Sequence, residues 1–290
     1  MILENMLLNN KLRNKSALLI FLLMVMIPYL AGLVYSFLYS FGLTGVLSKG
    51  FTFKYVSTVI NSVEVWRSLG YSFYIASVSI FISLLISIPA VVVFHQTITT
   101  GKKSFLIYLP LAIPAIVTAF ISFQLLGRTG FFSRLLFQLN IIRDLQQFPD
   151  LINDRFGIGI IITHVLMAVP FLLIFFSNLY VSEKLHGLSQ VAASLGAKRQ
   201  QVLNRIVLPV LLQRGLSTVL LYFIFILGSY EIPLILGQQS PQMISVLIVR
   251  KMQRFNLLDI PQGYFLSLIY SLVIILLLFI FLNPKKMNRL

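Results

Sequence analysis

Three histidines, eight acids and no cysteine are the groups with which this chain could do proton, metal or nucleophilic chemistry. Without cysteine there is no disulfide, no thiolate metal site and no thiol nucleophile. His95, His164 and His186 are too scattered to form a local ligand set. His164 falls inside an apolar stretch, where it reads as a hydrogen-bonded core residue rather than a proton relay. The run TGKKS at 100–104 looks like the end of a phosphate-binding loop, but position 96 is Gln96 where such a loop needs glycine. HExxH, GxSxG and a pair of intramembrane aspartates are all missing. The expectation is therefore a chain that is not an enzyme, takes no cofactor or metal, and does not itself bind ATP.

Two places remain where residue types and spacing suggest work. The first is Glu231, which follows Gly228 and precedes Pro233 and Gly237. That pattern breaks a helix, and broken helices at a membrane edge expose backbone that can line a pathway. Glu231 and Pro233 are read as a candidate pathway or gate near the outer side, where the acid would meet a cationic substrate or a binding protein. The alternative is a hydrated acid at a helix end, which costs little at an interface. The second place is EKLHGLSQVAASLGAKRQQVLNRIVLPVLL, within 181–207 and just beyond. Gln190 to Leu195 is helix-favouring and of low profile through Ala192, Ala193 and Ser194. Gly196 then permits the positive φ of a sharp turn. Lys198 to Arg205 resumes as a basic helix with Val202 and Leu203 on its apolar side. Pro209 follows at the start of the next helix, where its missing N–H costs least. A bent rod of this length exceeds the usual connection between helices and suits docking in another protein's groove.

The elements that must position this rod are membrane spans. The chain of 290 residues is 58% hydrophobic and 11% charged, with mean hydropathy +0.92. That is less than half the charge of a soluble domain, so lipid must be its main solvent. About 20 apolar residues cross a bilayer, and stretches 16–40, 69–94, 104–126, 157–180, 208–230 and 262–282 qualify. The first is too long for a signal peptide and reads as a retained span. The net charge of +15 is explained by lysines and arginines in cytoplasmic loops, with no nucleic-acid footprint. Threading from a cytoplasmic N-terminus puts Lys11, Arg13, Lys15, Lys102, Lys103, Lys285, Lys286 and Arg289 inside, together with the bent rod. The outer loop 127–156, with four arginines, runs against that N-in, C-in arrangement. In that loop Phe131, Leu135, Leu136 and Leu139 predict an amphipathic helix lying on the membrane, on a partner, or on the bundle's own outer face. Residues 41–68, with Trp66, predict an interfacial stretch. No linker or short repeat divides the chain, so it reads as one transmembrane domain over 1–290.

The spacing G-x9-I-x-L-P is met by Gly196, Ile206, Leu208 and Pro209. With Gln190, Val191 and Ala192 before it, the segment resembles the "EAA" signature of permease subunits of binding-protein-dependent ABC importers, E-A-A-x3-G-x9-I-x-L-P. Gln190 stands where that family has Glu, and Val191 where it has the first Ala. The resemblance covers about residues 65–282. It implies an all-α fold, the six-helix bundle of type I importer permeases in a bacterial plasma or inner membrane. It implies that Gln190, Ala192, Ala193, Gly196, Ala197, Lys198, Arg205, Leu208 and Pro209 form a coupling segment against an ATPase subunit. The other implied partners are a second permease subunit, an extracytoplasmic substrate-binding protein and membrane lipid. The runs LLGRTGFFSRLL, DRFGIGII (starting at Asp154) and SYEIPLILG (229–237) are similar to the spermidine/putrescine, iron(III) and thiamine branch, which implies a polyamine, iron(III) or thiamine-like cargo. Two other functions compete: an ion-coupled secondary transporter, which wants intramembrane acids that the span centres lack, and an intramembrane enzyme.

Overall fold

The computed structural model describes residues 2–46, 48, 50–100 and 105–281. Lys102, Lys103, Lys285, Lys286 and Arg289, and with them most of the TGKKS run, lie outside the described residues, as do the side chains of Lys11, Arg13 and Lys15. Among the described residues every regular element is helical. Six stretches are long and apolar enough to span a bilayer: Ala17–Ser40, Val63–His95, Ala115–Gln138, Ile158–Ser182, Arg199–Leu227 and Asp259–Ile280.

The chain divides into two compact units, one of residues 1–62 and 248–273, the other of 63–247 and 274–290. In the first, helix α1 (Ile2–Ser40) carries the first span. Its apolar side chains from Leu18 to Ile27 are all exposed, which in a bilayer means lipid or another subunit. Its end turns through an aromatic cluster, with Phe41 stacked on Phe51 at 5.3 Å, and leads into α2 (Lys54–Ile60). Tyr39 stacks on Tyr264 at 4.5 Å. In the same unit Lys251 is buried and its Nζ donates to Gln262 Oε1 at 2.9 Å.

The second unit is organised on α3 (Val63–Thr100) and, further along the chain, on Ile158–Ser182. The third predicted span, 104–126, is not continuous. It is α4 (Phe105–Tyr108), a 3₁₀ turn at Leu109–Ala112, and α5 (Ala115–Leu126). Pro110 and Pro114 are the cause: Ile113, before Pro114, is forced extended at φ −87°, ψ 124°. After α6 (Phe131–Gln138) and a loop comes α7 (Ile158–Ser182). Helix α6 is the predicted amphipathic one. It buries Ser133, half-buries Leu136 and leaves Phe131, Leu135 and Leu139 exposed, so most of its apolar face is uncovered by the described residues.

Helices α3 and α7 form the most extensive contact of the unit. On α3, Ser68, Ser72, Ser79, Ser83 and Ser87 are all buried, at helical spacing. Gly159, Thr163, Ala168 and Ser177 are buried along α7. Small residues let two backbones approach, which is how helices associate where lipid offers no hydrophobic drive. His164 is buried within α7 as a core residue, but the hydrogen bond expected of it is not found at Nε2, which has no partner among the described residues. The remaining helices of the chain are α8 (Leu185–Ser194), α9 (Arg199–Val202), α10 (Leu208–Leu227), α11 (Glu231–Leu236), α12 (Ile244–Gln253) and α13 (Asp259–Phe281), most of the last two belonging to the first unit. Gly215 of α10 lies so close to α7 that a Cβ there would come within 2.6 Å of the Phe176 ring.

Candidate functional site

At the far end of α7 the chain reverses through Lys184, held at φ +51°, and enters α8. The bend after α8 is a Schellman motif. Gly196 N–H donates to Ala193 C=O and Ala197 N–H to Ala192 C=O, both at 3.0 Å. The motif requires a left-handed residue, and Gly196 sits at φ +86° with nothing within 4 Å of where a Cβ would stand. The glycine is demanded by backbone conformation alone, not by crowding. Ala192 and Ala197, brought together by the motif, both pack on the core cluster below.

Lys198 is extended and starts α9, and its N–H donates to Gln201 Oε1 at 2.8 Å, which satisfies one free donor of the helix start. A wide π turn over Leu203–Val207 then joins α9 to α10. Pro209 stands in the first turn of α10, as expected for a residue without N–H. Leu185, Val202 and Val207 are buried and anchor the bent segment on Ile88, Val91, Tyr180 and Leu211 of the bundle. Arg214 of α10 pairs with Glu183 at 3.7 Å, tying the two ends of the loop.

The predicted coupling residues divide into two sets. Gln190, Ala193, Gly196, Lys198 and Arg205 are exposed. Ala192, Ala197, Leu208 and Pro209 are partly buried and hold the rod in place. Three exposed apolar residues on α8 and its C-terminal cap are absent from the sequence prediction: Leu188, Val191 and Leu195, the last 83% exposed. They stand at i, i+3 and i+7 and form one stripe facing away from the bundle. A second grouping is also new. The His95 ring lies 4.3 Å from Tyr180 and 5.9 Å from His186, and His186 Nε2 is 3.2 Å from Gln190 Nε2. Sequence separation hid it.

At the opposite end, α10 stops at Gly228 and α11 begins at Glu231, so the predicted break is present. The two gate candidates face different ways. Glu231 is exposed in the first turn of α11, whereas Pro233 is buried together with Ile232 and Leu236. Asn153 N–H donates to Leu236 C=O at 2.8 Å and fastens α11 to the loop before α7.

Residues 103–283 match the family model for the inner membrane component of binding-protein-dependent transport systems. Among solved structures, the chain is similar to a bacterial ABC transporter involved in the import of the acidic polysaccharide alginate. The TM-score is 0.62 at 18% identity, over 94% of this chain and 92% of that one. It is also similar to a bacterial alginate ABC transporter in complex with an alginate pentasaccharide-bound periplasmic protein, with TM-score 0.60 at 19% identity, over 95% and 92%. At such identities the likeness is one of fold. No curated protein sequence matches.

Proposed function

We propose a division of labour between the two ends of a chain that belongs to the family of binding-protein-dependent transport system inner membrane components. It is a permease component of an ABC importer and a multi-pass protein of the bacterial inner membrane. It acts as one permease domain with a core of about 65–282, N- and C-termini both cytoplasmic, and forms half of a pathway with a second permease subunit. The segment 181–207 docks on a separate ATPase, and an extracytoplasmic binding protein delivers substrate at the other end. The chain itself catalyses nothing. Closure of the ATPase pair moves the rod, and the bundle switches the side to which it opens. The cargo is a small solute of the class carried by the spermidine/putrescine, iron(III) and thiamine branch, on the strength of the three similar stretches.

The observation that carries this reading is the bent rod itself. It has a glycine-dependent elbow, a buried underside and an outward apolar stripe of Leu188, Val191 and Leu195. Apolar side chains exposed beyond a span end, on a rigidly anchored helix, are what a partner's groove would cover. Gly196→Leu and Gly196→Pro test it. Both should insert into membranes at wild-type level, yet lose co-purification with the ATPase and coupled uptake. Wild-type uptake by either variant would remove the docking role.

A further inference from the structure

We infer that the end of the bundle opposite the bent rod holds a receiving site for an oxyanion-bearing substrate, a carboxylate or phosphate. The inference rests on the permease reading and narrows its cargo. A cavity of about 640 Å³ opens between the start of α3, the loop before α7 and the segment before α12. Its walls include Arg67, Tyr71, Tyr74, Arg155 and Ser240. Such a volume is in the range of small-molecule sites. Arg67, Tyr71 and Tyr74 stand at i, i+4 and i+7 on one face of α3, and Arg155 comes to them from 88 positions later in the chain through the α3–α7 pairing.

Three features give the cavity its sign. Both guanidiniums are exposed, and neither makes an ion pair or hydrogen bond with any described residue. Of the nearby acids, Asp154 uses Oδ2 to accept from the N–H groups of Phe156 and Ile158, each at 3.0 Å, and so caps α7, while its Oδ1 is buried without a partner among the described residues and offsets part of the arginine charge. Glu64 accepts from Gln242 at 3.5 Å. The Tyr71 side chain is 8% exposed, and its hydroxyl is a buried group with no partner among the described residues. Gly157 lies against that hydroxyl, which a Cβ at Gly157 would approach to 2.4 Å, so the phenol is fixed in position. Two open arginine forks match carboxylate and phosphate geometry and repel a polycation. Of the cargoes implied by sequence, a free polyamine is the one this cavity selects against, and a solute carrying oxyanions, such as a metal held by carboxylate ligands, is the one it accepts.

The sole tryptophan, Trp66, precedes Arg67 and provides a reporter. Emission of the full-length chain in neutral detergent is titrated at constant ionic strength with citrate, inorganic phosphate and spermidine, and separately in nanodiscs with or without phosphatidylglycerol. Citrate or phosphate should saturate, the stronger of the two naming the oxyanion, and spermidine should not. The double variant Arg67→Gln/Arg155→Gln should bind about tenfold more weakly or worse, with unchanged melting and unchanged ATPase co-purification. Saturation by neither anion, equal titration of the double variant, saturation by spermidine, or a response to phosphatidylglycerol alone would each overturn the site. So would a double variant that binds both anions normally but loses the extracytoplasmic binding protein. If instead the wild-type chain fails to co-purify with an ATPase while the titration stands, the coupling reading fails and the oxyanion site does not.

Discussion

The two ends of the α3–α7 pair use glycine for opposite reasons. At the rod end Gly196 is surrounded by open space and serves a backbone angle, while apolar side chains beside it point outward. At the other end Gly157, Gly159 and Gly237 are crowded, although Gly70 beside the cavity is not. A Cβ at Gly159 would lie 2.1 Å from the Leu151 carbonyl oxygen, and one at Gly237 would lie 2.5 Å from that of Pro233. One end is a presented surface that completes itself only with a partner. The other packs against its own backbone at these glycines, beside an open cavity.

Substitutions at each end sharpen or break that contrast. Gly159→Ala should have the largest effect, because a carbonyl of the neighbouring loop cannot rotate away as a flexible side chain could. It should cost about 3 kcal/mol or more, read as loss of monodisperse protein on heating in detergent. Leu185→Ala comes next. It empties a fully buried position under the rod and should cost about 2–5 kcal/mol, with ATPase co-purification weakened because the rod loses its seat. Gly196→Ala should cost only about 1–2 kcal/mol, the strain of a left-handed residue with a Cβ, and a melting shift as large as that of Gly159→Ala would show the two ends to be alike. Gln190→Glu, which restores the charge found in the family signature, should change ATPase affinity by a factor of about five at most, the value of an exposed ion pair, and that change should vanish at high salt.

Much of the rod was legible because its determinants are local. A glycine ten residues before Ile206, a low-profile alanine run and a proline at the next helix start each act within a turn or two of themselves, and the Schellman elbow at Gly196 follows. The outward stripe was not legible. In a chain with this much apolar residue, Leu188, Val191 and Leu195 carry no contrast with the buried Leu185, so periodicity alone does not say which face is covered. The broken third span escaped for a related reason. Hydropathy registers Pro110 and Pro114 as tolerable in a span but not the extended Ile113 between them. Arg67 and Arg155 looked like separate outer-loop charges, and His95 and His186 like unrelated residues. Only the pairing of α3 with α7 and the reversal into α8 bring each pair together, and non-local contacts of that kind have no signature in a single sequence.

The π turn between α9 and α10 has a consequence for how this family's signature can vary. Val202 and Val207 are five positions apart and both buried. On an ordinary α-helix they would diverge by roughly 140°, whereas a turn that closes on the fifth residue stacks them. The junction therefore behaves as a slack link carrying one surplus residue: a lineage could drop an exposed one, such as Asn204, and tighten the turn without re-aiming either the rod or the span. A length change anywhere else between Gly196 and Pro209 would swing the lever relative to its fulcrum, which gives a physical reason for any change in the count of residues between those two landmarks to fall within this turn.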